Sequence, residues 1–332
     1  MSHQGKKCRW GRMACAAAAF VLVLLSAVPA RAQLNGSHTL GDFGVQSGTQ
    51  PAPGFYGALF YIHYGSDTVK DVDGNIVRFA PSFPSSIGLT AAAPMVWYVS
   101  KSKLFGANVG AMAVIPFANS ALEAPAFSFA RTADAGLADI LIRPLDLGWH
   151  TTHADTAAGL EIYLPTGRYE AGANDNLGKG MWTYEPFVGT TVYFDEKRTV
   201  SLAATAYWEF HSAKEGPGVK VGQILTLEGG LGKSFLGGGL IVGGAYYAQW
   251  KLTKDEFPTV VPPGGAAITA QVPGKHRVYA FGPDVTMPVA SKSKLFALIN
   301  FRYFWETGAR LKTEGQSAVV TATFPIPSVK LK

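Results

Sequence analysis

From Phe55 to the C-terminus, apolar and polar residues alternate at period two in a series of short runs, the signature of β-strands with two unlike faces. Residues 156–164 place Ala158, Leu160, Ile162 and Leu164 on one face and Gly159, Glu161 and Tyr163 on the other. Residues 182–193 repeat the arrangement, with Trp182, Tyr184, Val188 and Val192 opposite Thr183, Glu185, Gly189 and Thr191. Between them, Pro165-Thr166-Gly167 and the Asn/Gly-rich run 174–180 stop the ladder. This spacing predicts a β-hairpin with a long connection. A soluble sandwich would bury its apolar face in a core, whereas a membrane barrel would turn it to lipid.

The same reading predicts strands at 55–64, 91–99, 105–115, 136–147, 199–211, 223–233, 240–251, 277–287, 294–306 and 316–324. The cleanest is 199–211, with Leu202, Ala204, Ala206 and Trp208 against Ser201, Thr205, Tyr207, Glu209 and His211. In 55–64 the apolar set is Tyr56, Phe60, Ile62 and Tyr64, which places His63 on the lumen side. With the opening hairpin this makes about 12 strands, most of the ~9–11 residues that cross a bilayer at a tilt. Soluble strands average only about five or six.

The connections alternate in length. Those at 100–104, 148–155, 194–198, 234–239 and 288–293 are short, roughly five to eight residues. Those at 65–90, 116–135, 165–181, 212–222, 251–276 and 307–315 run from roughly nine to 26. Short periplasmic turns and long extracellular loops are the habit of outer-membrane barrels. The expectation is an all-β, transmembrane antiparallel β-barrel over residues 55–332. Pro186 breaks a ladder donor in mid-strand and marks an expected bulge or interface level.

The N-terminus adds a compartment. Lys6, Lys7, Arg9 and Arg12 precede an apolar run at 14–28, and Ala30-Arg31-Ala32 fits a signal-peptidase site. Residues 1–32 therefore read as a signal peptide cut before Gln33, and the localisation follows: the outer membrane of a Gram-negative cell. Removing Lys6, Lys7, Arg9, Arg12 and Arg31 from 29 basic residues leaves 24 against 23 acidic ones. The formal charge of +6 thus belongs to the leader and implies no nucleic-acid partner. Cys8 and Cys15 leave with it, so the exported chain has no disulfide framework. No later run approaches 18 uninterrupted apolar residues, which sets aside a helical membrane protein. Residues 33–54 are rich in Gly, Ser and Pro and lack a period. They read equally as a flexible lead-in or as a plug in the barrel mouth.

Candidate chemistry lies on the polar face. Asp139, Arg143, Glu161, Glu185, Glu209, Glu228, Gln249, Asp284, Asn300, Arg302 and Glu306 are the predicted lumen lining, either an acidic channel wall or an interlocked ion-pair core. Arg302 is the expected partner of a neighbouring glutamate. Tyr56, Tyr64, Trp182, Trp208, Trp250 and Trp305, near strand ends, are the predicted aromatic girdle. Other fragments fail as motifs. Gly232-Lys233-Ser234 and Gly178-Lys179-Gly180 lack the first glycine of a phosphate-binding loop. Asp71-Val72-Asp73-Gly74-Asn75 lacks the remaining ligands of a calcium loop. His150, His153 and Asp155 form a weak metal pattern in a predicted turn. No lipid-facing Ser/His pair is found on the strands, so no catalytic residue is assigned, and no metal or other cofactor is expected.

Several stretches together resemble a known family, the outer-membrane proteins of the meta-pathway of phenol degradation, also called SphA-like or MetA-pathway proteins. They are Gln50-Pro51-Ala52-Pro53-Gly54-Phe55-Tyr56, Asp71-Val72-Asp73-Gly74, Asp139 with Pro144, and Leu164-Pro165-Thr166-Gly167-Arg168-Tyr169. Asn176-Leu177-Gly178-Lys179-Gly180-Met181-Trp182, Pro186, Tyr246 and Gln249 continue the match. The resemblance implies an outer-membrane barrel for uptake of small hydrophobic or aromatic compounds, and it carries no catalytic residues. Its partners would be outer-membrane lipid, the barrel-assembly machinery and the solute. The alternatives are a closed barrel with a structural or surface-interaction role and, below it, an outer-membrane hydrolase.

Overall fold

The protein is described from a computed structural model over residues 35–77, 86–124, 129–173, 175–216, 218–235, 239–260, 268–269, 274–291, 294–326 and 329–330. The expected leader and cleavage site lie outside these residues. One antiparallel sheet carries the fold: β1 (Gly54–Ser66), β2 (Ser86–Leu104), β3 (Ala107–Val114), β4 (Phe117–Ala124), β5 (Phe129–Leu137), β6 (Ile140–His150), β7 (Ala154–Leu164) and β8 (Thr183–Tyr193). It continues through β9 (Val200–His211), β10 (Ile224–Phe235), β11 (Leu240–Lys251), β14 (Arg277–Ser291), β15 (Lys294–Arg310) and β16 (Gln316–Ile326). Two-residue strands β12 (Thr259–Val260) and β13 (Ile268–Thr269) pair within a loop, and β17 (Val329–Lys330) adds to β15.

β2 pairs with β3 through its second half and with β4 through its first, so β3 and β4 are one wall strand interrupted at Ile115-Pro116. β5 and β6 likewise form one wall strand, interrupted at Ala138-Asp139. β1 pairs with β2 on one side and β16 on the other, which closes the wall. The result is a closed barrel of 12 antiparallel wall strands. Closure gives every wall strand two hydrogen-bonded neighbours, as a hydrocarbon surround requires.

The structure changes three local expectations. The segment 116–135, expected as a loop, is largely the β4–β5 hairpin, which extends the wall at the long-loop end. Pro186 causes no register shift against β7 or β9. The bulge falls instead at Pro144, where the β6–β7 register slips between Ile142 and Leu145.

The outward faces are apolar and exposed: Leu59 and Tyr61 on β1, Val188 and Val192 on β8, Leu202 on β9, Leu231 on β10, Phe281 and Met287 on β14, Phe301 on β15. An unbroken band of this kind suits hydrocarbon rather than water. Trp208, Trp250 and Trp305 lie toward the long-loop end of this surface. Trp208 and Trp250 flank Leu225 in register, and Trp305 faces Phe281. Trp182 is exposed at the mouth of β8. β1 is inverted relative to expectation. Phe60 and Ile62 are buried inside, packing with Tyr247, Val278, Ala280, Phe304 and Val319, while His63 points outward and bonds Thr90 Oγ1 at 2.9 Å. Tyr56 and Tyr64 share the inward face. The Tyr64 hydroxyl donates to Glu306 Oε2 at 2.8 Å, and neither tyrosine belongs to the girdle.

Candidate functional site

Inward positions of neighbouring strands bring the acidic residues to one level of the lumen. Glu161 (β7) and Glu185 (β8) are directly opposite one another, and with Glu209, Glu228 and Asp284 they have no accessible surface. Like charges in that register repel, and Arg143 offsets part of the repulsion. Its Nε donates to Glu161 Oε1 at 2.9 Å, its Nη2 donates to the same oxygen, and Asp146 lies 3.8 Å from Nη1. Arg143 and Asp146 are three residues apart and would face opposite sides in a regular strand. The bulge at Pro144 turns both inward. The guanidinium lies 4.3 Å from the Phe187 ring centroid, with Trp97 and Phe43 at 5.6 and 5.3 Å. Arg302 stands opposite Asp284, not a glutamate as expected, and donates to Thr321 Oγ1 at 2.9 Å.

The acids hold the chain's own N-terminal segment. Residues 36–50 descend through the lumen from the long-loop end to the short-turn end, where β1 begins. Glu209 Oε1 accepts from the backbone N–H of Ser37 at 2.5 Å and of His38 at 3.1 Å. Glu228 accepts from Gly41 N–H at 2.6 Å and Asp42 N–H at 3.2 Å. Asp284 Oδ2 accepts from Val45 N–H at 2.9 Å. His38 bridges two carboxylates, with Nδ1 3.0 Å from Glu185 and Nε2 3.1 Å from Glu228. With both carboxylates ionised, both ring nitrogens would donate, which is the imidazolium form. Lower down, Gln50 Nε2 donates to Asp146 O at 2.9 Å.

Close approach requires glycine where the segment touches the wall. A Cβ at Gly230 would lie 2.7 Å from Val45 Cγ1, and one at Gly148 2.4 Å from Gln50 Oε1. Val45 and Gln50 are each about 1% exposed, whereas Gln46 between them keeps an exposed side. A small gap lined by Phe43, Trp97, Arg143, Asp146 and Phe187 offers about 10 Å³, room for about one water. His38 with Glu161 and Glu185, or with Asp42 and Glu228, could also gather around a metal ion. In this structure the His38 ring already lies between the carboxylates.

The other expected lumen residues serve as struts. Asn300 Nδ2 donates to Asp284 at 2.6 Å and to Thr286 at 2.8 Å, and Gln249 Nε2 donates to Thr226 Oγ1 at 3.0 Å. Glu306 accepts from Tyr64 and Tyr247, and from Gly315 N–H at 2.7 Å. Asp139 sits at the break between β5 and β6 and accepts from Gly167 N–H at 3.0 Å and Lys179 N–H at 2.8 Å. It staples the two limbs of the 165–182 loop, which cross so closely that a Cβ on Gly178 would meet Gly167 O at 2.6 Å. Asp139→Ala leaves two N–H groups unpaired at about 1.5–3 kcal/mol each. Trypsin should then cut the purified protein after Arg168 at least ~10-fold faster than wild type, and an unchanged rate would remove the staple. His150 Nδ1 pairs with Asp155 at 3.0 Å beside Arg198, and the three clamp the turn.

Sequence reasoning assigned no role to His38, Asp42, Val45, Gln50, Trp97 or Asp146. One signal was available. The expected lumen carries far more carboxylates than arginines, so it needs donors from elsewhere.

The family model described as "Putative MetA-pathway of phenol degradation" matches residues 66–322. Among solved structures, the COG4313 outer membrane channel from Pseudomonas putida F1 is similar at a TM-score of 0.68 and 11% identity, covering 87% of this chain and 99% of that one. The TodX deltaS2S3 mutant monoaromatic hydrocarbon channel is similar at a TM-score of 0.44 and 10% identity, covering 85% and 91%. No curated protein matches the chain by sequence.

Proposed function

Because the chain belongs to the family of the MetA-pathway of phenol degradation, we propose that it is a non-enzymatic outer-membrane channel for small hydrophobic or aromatic compounds, closed at rest by residues 36–50. The observation that carries this reading is the pairing of an apolar outer band with a polar lumen whose filling is held by side chains and is not part of the wall. A barrel whose interior were only structural could fill itself with wall side chains. Here a separate strand of chain is gripped by hydrogen bonds, an arrangement that can be released without unfolding the barrel. The COG4313 outer membrane channel is similar in fold over 87% of this chain. Export by a leader cut before Gln33, and exposure of the 165–181 and 251–276 loops to the cell exterior, belong to the same reading.

A closed barrel is favoured by one fact, the complete burial of Glu185, Glu209, Glu228 and Asp284. Transport separates the two. Cells expressing the protein should take up a dilute labelled phenol several-fold faster at first than cells without it. Equal rates, together with no conductance in planar bilayers even after residues 36–50 are deleted, would leave the closed barrel.

A further inference from the structure

We propose that the long-loop end of the barrel binds a small organic anion, an aromatic monocarboxylate, between Lys179, Lys214, Lys312 and His276. The inference rests on the channel reading and names the class of solute.

Three loops bring these groups together: Lys179 from the β7–β8 loop, Lys214 from β9–β10 and Lys312 from β15–β16. His276 comes from the residue before β14. Among the described residues none of the three lysines has an ion pair within 4.0 Å. Lys251 nearby is paired with Asp255 at 2.7 Å. The carboxylates within reach are committed elsewhere: Glu209 to the N-terminal segment, Glu306 to two tyrosines and Gly315, Asp139 to two backbone N–H groups. The Lys214 ammonium donates to Lys179 O at 2.7 Å, and the Lys312 ammonium to Gln249 Oε1. These partners are neutral, and the nearby carboxylates Asp139, Glu209, Glu306 and Asp255 act on the lysines only at longer range.

Burial of ammonium groups without counter-charge is costly, and the groups register it. Burial, with the Lys179 charge adding, brings Lys214 down to about 7. Burial and the Lys179 and Lys251 charges outweigh Glu306 and Glu209 to bring Lys312 to about 8. Burial, then Lys312, Lys251 and His211, hold His276 well below its ordinary value. A second, independent observation is geometric. His276 is buried among these charges, and its Nε2 has no hydrogen-bond partner. One carboxylate placed there would accept from His276 and from the lysines at once, supplying the missing charge and partner together. The surroundings suit an anion with an apolar body. The Lys214 ammonium lies 5.4 Å from the Tyr169 ring centroid, and Met181, Val221 and Ile224 form a buried apolar cluster at the same end of the barrel.

The test is isothermal titration of the detergent-purified full-length protein with benzoate, with benzyl alcohol as the neutral counterpart and inorganic phosphate as the competing anion. Saturable benzoate binding is expected. It should weaken at least ~10-fold in Lys312→Gln and in Lys179→Gln and stay unchanged in Lys220→Gln, whose side chain is half exposed. Heat-modifiable gel mobility selects folded variants, and Lys179, whose ammonium makes no hydrogen bond among the described residues, unlike Lys214 and Lys312, is the change least able to disturb assembly. Benzyl alcohol binding as tightly as benzoate, phosphate displacing benzoate at equal concentration, or unaltered affinity in Lys179→Gln would each overturn the assignment. Benzoate binding without phenol uptake would remove the channel and leave this site. Uptake without benzoate binding would do the reverse.

Discussion

Replacing Glu228 with leucine should free residues 36–50, making a cysteine at position 45 react with a water-soluble maleimide about 100-fold faster or more. Glu228 accepts from the buried Gly41 N–H and the part-buried Asp42 N–H, and lies 3.1 Å from the buried His38 Nε2. Removing one side of a buried charged pair costs about 3–5 kcal/mol, and each ~1.4 kcal/mol is a factor of about ten. Glu228→Gln keeps an acceptor and should fall between wild type and leucine. Cys8 and Cys15 are the chain's two cysteines, and replacing both with serine leaves the introduced thiol alone. Val45 is 1% exposed in the closed lumen, so slow labelling in the wild-type background is part of the expectation. Fast labelling there, or equal rates in Glu228→Leu, would mean that the carboxylate does not hold the segment.

The second large effect lies on β9. Leu202, Ala204 and Ala206 face outward in the apolar band, so Ala204→Arg near the bilayer midplane should cost about 2–4 kcal/mol and impair assembly. From sequence, Thr205→Arg is expected to point into the polar lumen, to be tolerated for assembly and to alter permeation if a pore exists. The structure revises this. Thr205 is 1% exposed, stands opposite Glu228 in register, and is so close to β8 that a Cβ on Gly189 would lie 2.1 Å from its Oγ1. An arginine there has no room beside the N-terminal segment and would compete with His38 for Glu228. Thr205→Arg should therefore assemble with heat-modifiable mobility, and a cysteine at position 45 should label in it as fast as in Glu228→Leu. Normal assembly of Ala204→Arg with failure of Thr205→Arg would reverse the facing of the whole barrel.

These cases show what was legible in the chain. Strand number and the facing of β7 through β11 followed from period-two alternation, because there one side meets lipid and the other meets charge. β1 escaped the rule. Its inner neighbours are Tyr247, Phe304 and Val319, so the lumen is itself apolar in that sector and hydropathy does not separate the faces. The β4–β5 hairpin extends the wall past the first long loop. There, alternation between lipid and charge no longer marks the strands. Arg143 with Asp146 depended on a bulge that spacing does not announce. The N-terminal segment binds through backbone N–H groups, which every residue has, so its Gly- and Ser-rich composition carried no trace of its partners. The lysines at the long-loop end sit in loops, where single charges ordinarily read as solvated.

The threaded lumen itself can be tested with a pair of cysteines in place of Val45 and Gly232. A Cβ on Gly232 would lie 3.3 Å from Val45 Cβ, close to the 3.5–4.5 Å spacing of a disulfide. In outer membranes from cells expressing the doubly substituted protein, mild oxidation should give a monomeric, reductant-sensitive species. It should migrate faster after boiling than the reduced chain, because residues 45 and 232 close a large loop. Absence of that cross-link, with the cysteine at position 45 instead freely alkylated in the same membranes, would contradict a lumen filled by its own N-terminal segment.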